Sequence, residues 1–307
     1  MTGAPWSAAL AVALLAGGPE GARRPPPTFG VDVEAVKLDV TVLRDGLAVE
    51  GLTADDFEVR DDGVPQEAEL VSAEERALHA VLVLDTSSSV AGRRLEVLKA
   101  AAGSFVAGLS PEDAASVIAF SHDVYALPQD PHDHARLRVA VGALTAGGST
   151  ALNDAVVAGL LRSGTGQGRP MVLVFSDGAN RLSWLEPRHV LEVARELEAV
   201  VYGVVATSEA APTPSAPTRD RGRRKPVRVE DGLLRELADL TGGAVLLTGG
   251  GDLGEAFARI LATVQSRYVL RYVPRGVKAD GWHTLAVRLK RARGEVRVRR
   301  GYRRSSL

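Results

Sequence analysis

Asp85-Thr86-Ser87-Ser88-Ser89 is the stretch of this chain best suited to chemistry, because a carboxylate and a run of hydroxyls crowd one short segment. Two uses compete for such groups. Carboxylate and hydroxyl oxygens are ligands for a hard divalent cation. Serines ahead of a helix also cap its first amides. Two later stretches offer the same kind of side chain. Gly147-Gly148-Ser149-Thr150 sets Thr150 at the start of an expected helix, and Met171-Val172-Leu173-Val174-Phe175-Ser176-Asp177 is an apolar run that ends on an acid. Each of these residues alone is a common cap or turn residue.

The elements around them decide where they sit. Val81 to Leu84 is apolar and valine-rich, the pattern of a strand buried on both faces. After it, Leu95, Leu98, Ala102, Phe105, Val106 and Leu109 recur at helical spacing. Asp85, Ser87 and Ser89 therefore fall between the carboxyl end of a strand and the amino end of a helix, where open α/β sheets bind ligands. Further strands are expected at Ala115–Phe120, Met171–Phe175, Val200–Val205 and Gly243–Leu247, with helices over 134–144, 151–162, 187–198 and 233–240. This rhythm predicts a doubly wound, mainly parallel sheet with helices on both faces across residues 77–266. Inside it, 208–226 is Pro- and Arg-rich and reads as a mobile basic insertion.

The flanks, 31–76 and 267–303, alternate with period two and are expected to pair into one small antiparallel β domain. The acids Asp55, Asp56, Glu58, Asp61 and Asp62 within the first flank read as solvated turn residues, since no oxygen-cage spacing is present.

Taken together and in order, Asp85, Ser87, Ser89, Thr150 and Asp177 resemble the metal-ion-dependent adhesion site of the von Willebrand factor A domain. The resemblance implies that Ser87, Ser89 and Thr150 bind Mg2+ directly, with Mn2+ or Ca2+ as alternatives, and that Asp85 and Asp177 act largely through water. Neutral hydroxyls leave much of the ion's charge uncancelled, so it can take one more anionic oxygen. The implied function is a non-enzymatic binding or adhesion module that grips an Asp or Glu of a protein partner. Gly51 to Val59, Asp62 to Gln66 and Arg299-Arg300-Gly301-Tyr302 also look like one bacterial family of exported proteins related to this domain. The alternative of a different class is an intracellular accessory subunit of an ATPase or chelatase-type machine. A hydrolase ranks below both, because Gly-x-Ser-x-Gly, His-Glu-x-x-His and a Walker loop are missing.

The rest of the chain narrows the field. Its 307 residues are 45% hydrophobic with formal net charge −1, which gives no global drive toward nucleic acid. It has no cysteine, hence no disulfide and no thiolate metal site. Ala8 to Gly18 is an apolar run of signal-peptide length, short of the ~20 residues a bilayer requires. Residues 1–22 accordingly read as a signal peptide and 23–30 as a linker, placing the mature chain in the periplasm or outside the cell without a transmembrane helix. Three local patterns are set aside. Ser121-His122-Asp123 consists of adjacent residues, which are not expected to align as a triad. His132-Asp133-His134 lacks a third metal ligand and reads as a loop or helix start. Gly249 to Gly254 matches a dinucleotide fingerprint, but a glycine-rich turn with Asp252 as N-cap accounts for it. Neither the identity of the partner nor the oligomeric state is legible.

Overall fold

The computed structural model describes residues 35–71, 77–127, 130–166, 168–177, 180–206, 232–249 and 252–304. The expected signal peptide and linker, and the basic insertion 208–226, lie outside the described residues. No helix among the described residues is long and apolar enough to cross a membrane.

Alternation builds the first elements, β1 (Val36–Arg44), β2 (Leu47–Ala48), β3 (Phe57–Asp61), β4 (Val64–Gln66) and β5 (Ala68–Leu70). They then wait for partners from the far end of the chain, β12 (Tyr268–Tyr272), β13 (Gly281–Leu289), β14 (Glu295–Arg297) and β15 (Gly301–Arg304). β1 runs antiparallel to β12, with Val36 opposite Tyr272 and Val40 opposite Tyr268, and its second half pairs with β14. β3 lies antiparallel to β13, with Val59 opposite Val287.

The two flanks thus pair with each other, as expected, and the β domain they form consists of two sheets. One sheet has the order β14-β1-β12-β5, with β2 beside β1; the other has the order β15-β13-β3-β4. The reason is burial. Each strand has one apolar face, and closing two sheets on each other covers both faces at once. Leu38, Val40, Val42, Phe57, Val59, Leu270, Leu285 and Val287 fill the space between them.

The main sheet is assembled from the segment between the flanks. Its elements are β6 (Leu78–Asp85), α1 (Arg93–Ala107), β7 (Ala114–Phe120), β8 (Val124–Ala126), α2 (His134–Gly142), α3 (Leu152–Ser163), β9 (Arg169–Ser176), α4 (Pro187–Glu196), β10 (Val200–Ala206), α5 (Gly232–Thr241), β11 (Val245–Thr248) and α6 (Leu253–Gln265). The strand order is β11-β10-β9-β6-β7-β8, parallel throughout except for the antiparallel edge pair β7–β8.

Every residue of β6 is buried, and alternation sends them to opposite layers. Ala80, Leu82 and Leu84 pack under α1, α2 and α6, while Val81 and Val83 pack under α3, α4 and α5. Full burial of each valine or leucine contributes about 1.5–3 kcal/mol, so this strand anchors both layers. Sheet and sandwich are tied by the Arg169–Asp39 ion pair at 2.8 Å, by Arg303–Glu196 at 2.6 Å, and by the Arg300 amide, which donates to the Leu240 carbonyl at 2.9 Å.

Candidate metal centre

The chain leaves β6 in one direction to β7 and returns to its other side as β9, so the strand order reverses between β6 and β9. A crevice opens at the carboxyl ends of two such strands. Asp85 closes β6, and Ser176 with Asp177 closes β9. The register pairs Leu84 with Phe175, which sets Asp85 beside Ser176.

Asp85 is fully buried. One carboxylate oxygen, Oδ1, accepts from the Ser87 amide, and the other, Oδ2, accepts from the Ser176 hydroxyl, each at 2.9 Å. Burial pushes the Asp85 carboxyl above the usual carboxylate range. Hydrogen bonds from Ser87 and Ser176 pull it back in part, and the nearby Asp177 charge adds to the rise.

The serines are not helix caps. A 3-10 turn spans Ser88–Val90, and the Ser87 side chain makes no capping bond to it. α1 begins later, with Gly92 as its N-cap at φ +72°, a conformation that favours glycine. Ser87 and Ser89 instead share a hydroxyl–hydroxyl contact of 2.9 Å. Their oxygens therefore remain available as ligands.

Backbone bonds draw the other loops to this one. The Ser88 amide donates to the Gly148 carbonyl at 3.0 Å, and the Gly147 amide donates to the Thr86 carbonyl at 2.8 Å. Gly148 has φ +80°, a conformation that favours glycine, and a Cβ there would press on the His122 ring. Two residues on, Thr150 is buried, and its hydroxyl has no hydrogen-bond partner among the described residues. The Thr150 carbonyl accepts the amides of Arg181 and Leu182 at 2.9 and 3.0 Å, which fastens the segment after Asp177 to the same turn. Asp85, Ser87 and Ser89 thus lie on one loop, with the loops of Thr150 and Asp177 bonded or adjacent to it.

This donor set fits a hard divalent cation. It offers three hydroxyl oxygens outside any cap and two carboxylates whose mutual repulsion a cation relieves. Ser176 belongs to the arrangement as the group that orients Asp85, and sequence reasoning did not single it out. Its signal was a lone hydroxyl closing an apolar strand in the register position next to Asp85.

Three other clusters differ from what the sequence suggests. Asp61 is not a solvated turn residue but is fully buried in the sandwich core. Its Oδ1 accepts from His283 Nδ1, and its Oδ2 accepts from the hydroxyls of Tyr272 and Tyr302, all at 2.8 Å. Asp61, Asp62 and His283 bring metal-capable atoms within 4.8 Å of one another. Yet both Asp61 oxygens already accept hydrogen bonds, and Asp62 Oδ1 accepts the Thr284 amide, so the cluster is a core network and not an open ligand cage. His283 Nε2 is left buried without a partner among the described residues.

Ser121-His122-Asp123 does make contact, contrary to the spacing argument, with Ser121 Oγ 3.3 Å from Nδ1 and Asp123 Oδ2 3.2 Å from Nε2. The His122 and Asp123 side chains are 55% and 78% exposed, so solvent screens the pair. Asp252 stands at the N-cap position of α6, but its side chain makes no capping bond. A separate cavity of about 660 Å³ opens at the amino ends of the strands, by His79, Arg169 and Arg299, and none of the five residues lines it.

A doubly wound sheet bearing this acid-and-hydroxyl crest is a von Willebrand factor type A fold. Residues 80–180, which include all five site residues, match the model of the von Willebrand factor type A domain. Proximal thread matrix protein 1 from the mussel byssus superposes with a TM-score of 0.50 at 14% identity, over 66% of this chain and 49% of its own. A von Willebrand factor type A protein from Catenulispora acidiphila gives 0.48 at 13% identity, over 90% of this chain and 74% of that one. The conserved hypothetical protein BatB from Bacteroides thetaiotaomicron gives 0.47 at 20% identity, over 62% of this chain and 100% of that one. At these identities the likeness is one of fold. No curated protein sequence matches the chain at a level that marks a relative.

Proposed function

We propose that this protein is an exported, non-enzymatic binding module that holds an acidic group of a protein partner on a divalent cation, with Mg2+ as the resident ion. Asp85, Ser87, Ser89, Thr150 and Asp177 hold the cation. The observation that carries this reading is the state of the hydroxyls: Ser87 makes no capping bond and follows the buried Asp85, and Thr150 has no hydrogen-bond partner among the described residues and stands on a turn bonded to the same loop. When bound, the ion supplies a positive centre open to one more anionic oxygen. The chain's own part is to fix the loops by backbone bonds and to exclude water from Asp85. Export is supported by the apolar run Ala8 to Gly18.

Calorimetric titration with Mg2+, repeated with Mn2+, tests the metal site. One site is expected in the native protein, and Thr150→Ala should weaken it at least tenfold while leaving the circular dichroism spectrum unchanged. Absence of binding heat together with an unchanged melting curve at saturating metal would refute the reading.

A further inference from the structure

Trp184 is 94% exposed, and Leu182, two residues before it, is 51% exposed. Large apolar side chains left in water usually sit on slack segments, but this loop is held from beneath. The Asp154 carboxylate on α3 accepts the amides of Trp184 and Leu185 at 2.9 Å each. Asn153 Nδ2 donates to the Leu185 carbonyl at 2.7 Å, and Ser183 Oγ donates to Asn180 Oδ1 at 2.6 Å. The Thr150 carbonyl takes the amides of Arg181 and Leu182. The indole therefore contributes almost no burial to the fold while its backbone is fixed, the combination a binding hot spot needs. The same turn carries Thr150 of the candidate metal centre, so cation site and indole share one frame.

The charges around them favour one kind of partner. Arg94 donates to the Ser89 carbonyl at 3.3 Å, and Arg93 and Arg181 are exposed and form no ion pair among the described residues. Of the acids on these segments, Glu186 pairs with Arg188 at 3.2 Å and Asp154 accepts the loop amides, while Asp123 faces His122 at 3.2 Å and Asp177 belongs to the crest itself. Guanidinium groups of Arg93, Arg94 and Arg181 thus stand on the segments that carry the crest and the apolar knob, and they suit an acidic side chain.

We propose that Trp184 and Leu182 form the specificity platform of this module, and that its partner is a protein segment in which an Asp or Glu is flanked by a bulky apolar residue. The acid reaches the metal centre while the neighbouring side chain packs on the indole. This inference rests on the metal-bridged reading above.

Selection of a phage-displayed library of random linear peptides on the Mg2+-loaded protein tests it. Enrichment of an acid next to an aromatic or aliphatic residue is expected. Trp184→Ala should weaken the selected peptides about thirtyfold, the loss typical of a hot-spot tryptophan, without changing Mg2+ affinity. Asp154→Ala, which keeps the indole but frees its loop, should weaken them as well. Mg2+-dependent peptides with an acid but no apolar neighbour, bound equally by Trp184→Ala, would overturn the platform and leave the metal reading intact. Peptides that bind equally in EDTA would overturn the metal reading. A library yielding no binder overturns the proposal.

Discussion

Asp85→Asn should stabilise the metal-free protein and abolish its response to Mg2+. Asparagine keeps the shape of the side chain and an oxygen for the Ser87 amide, but it removes a buried charge beside Asp177. A buried ion carries an effective penalty of several kcal/mol. Two hydrogen bonds to Asp85, from Ser87 and Ser176, offset part of it. Asparagine gives the Ser87 amide a neutral acceptor and turns the second bond round, its Nδ2 donating to Ser176 Oγ, and the two exchanges forfeit roughly 1 kcal/mol each, or about 2 in all. The raised pKa indicates that burial outweighs these bonds, leaving a net gain on the order of 1 kcal/mol for asparagine.

In a unit of this size that gain is a rise in Tm of about 2–4 °C without metal. Native protein with Mg2+ a hundredfold above its dissociation constant gains about 2.7 kcal/mol, or roughly 5–10 °C, and the variant gains none. The dependence on pH follows the direction of the shift. The folded protein favours protonated Asp85, so that contribution is complete below the ordinary carboxylate range and is lost as pH rises through the raised value. The variant's advantage should therefore appear at neutral pH and vanish in acid. Melts in EDTA and in Mg2+ at both pH values provide the readout. Equal Mg2+ increments in the two proteins, or a variant several degrees less stable at neutral pH without metal, would refute the reasoning.

Asp61→Ala should destabilise strongly, because it leaves His283 Nδ1 and the hydroxyls of Tyr272 and Tyr302 without their acceptor. At about 1–3 kcal/mol per stranded donor the loss is on the order of 5 kcal/mol, read as a large fall in Tm, whereas Asp61→Asn should lose less than half as much. Equal losses for the two variants would mean that hydrogen bonding at this position is unimportant. Tyr272 and Tyr302 are pushed above the ordinary tyrosine range, first by burial and then by the Asp61 carboxylate. Their contribution to stability is intact below that range and is lost as pH rises beyond it. Phenolate absorbance in an alkaline titration should therefore show these two of the five tyrosines ionising only as the protein unfolds. Smooth ionisation of all five in a folded protein would count against a buried network.

The main sheet was legible because its signals are local. A valine-rich run such as Val81 to Leu84 declares a strand covered on both faces, and the helical spacing from Leu95 declares its neighbour. The crest was legible through residue types at strand ends. Partnership was not: β1 pairs with β12 more than two hundred residues away, and alternation states which face is buried without stating what covers it. The Asp61 network was missed although its phase was on display. Phe57, Val59 and Asp61 share one face of β3, as His283, Leu285 and Val287 share one face of β13. An acid and a histidine in phase with core residues mark a polar cluster, whereas reading Asp61 with its neighbour Asp62 as a turn pair concealed that phase.

The pairing of β1 with β12 and of β3 with β13 also dictates an order of assembly. As the polypeptide emerges from its amino end, β1 and β3 have only the short β2 and β4 beside them until β12 and β13 follow, and the doubly wound layer in between can mature first. The sandwich is thus a latch that shuts only once β12 to β15 are made, so a product truncated before residue 268 would carry open strand edges ready to join those of another molecule.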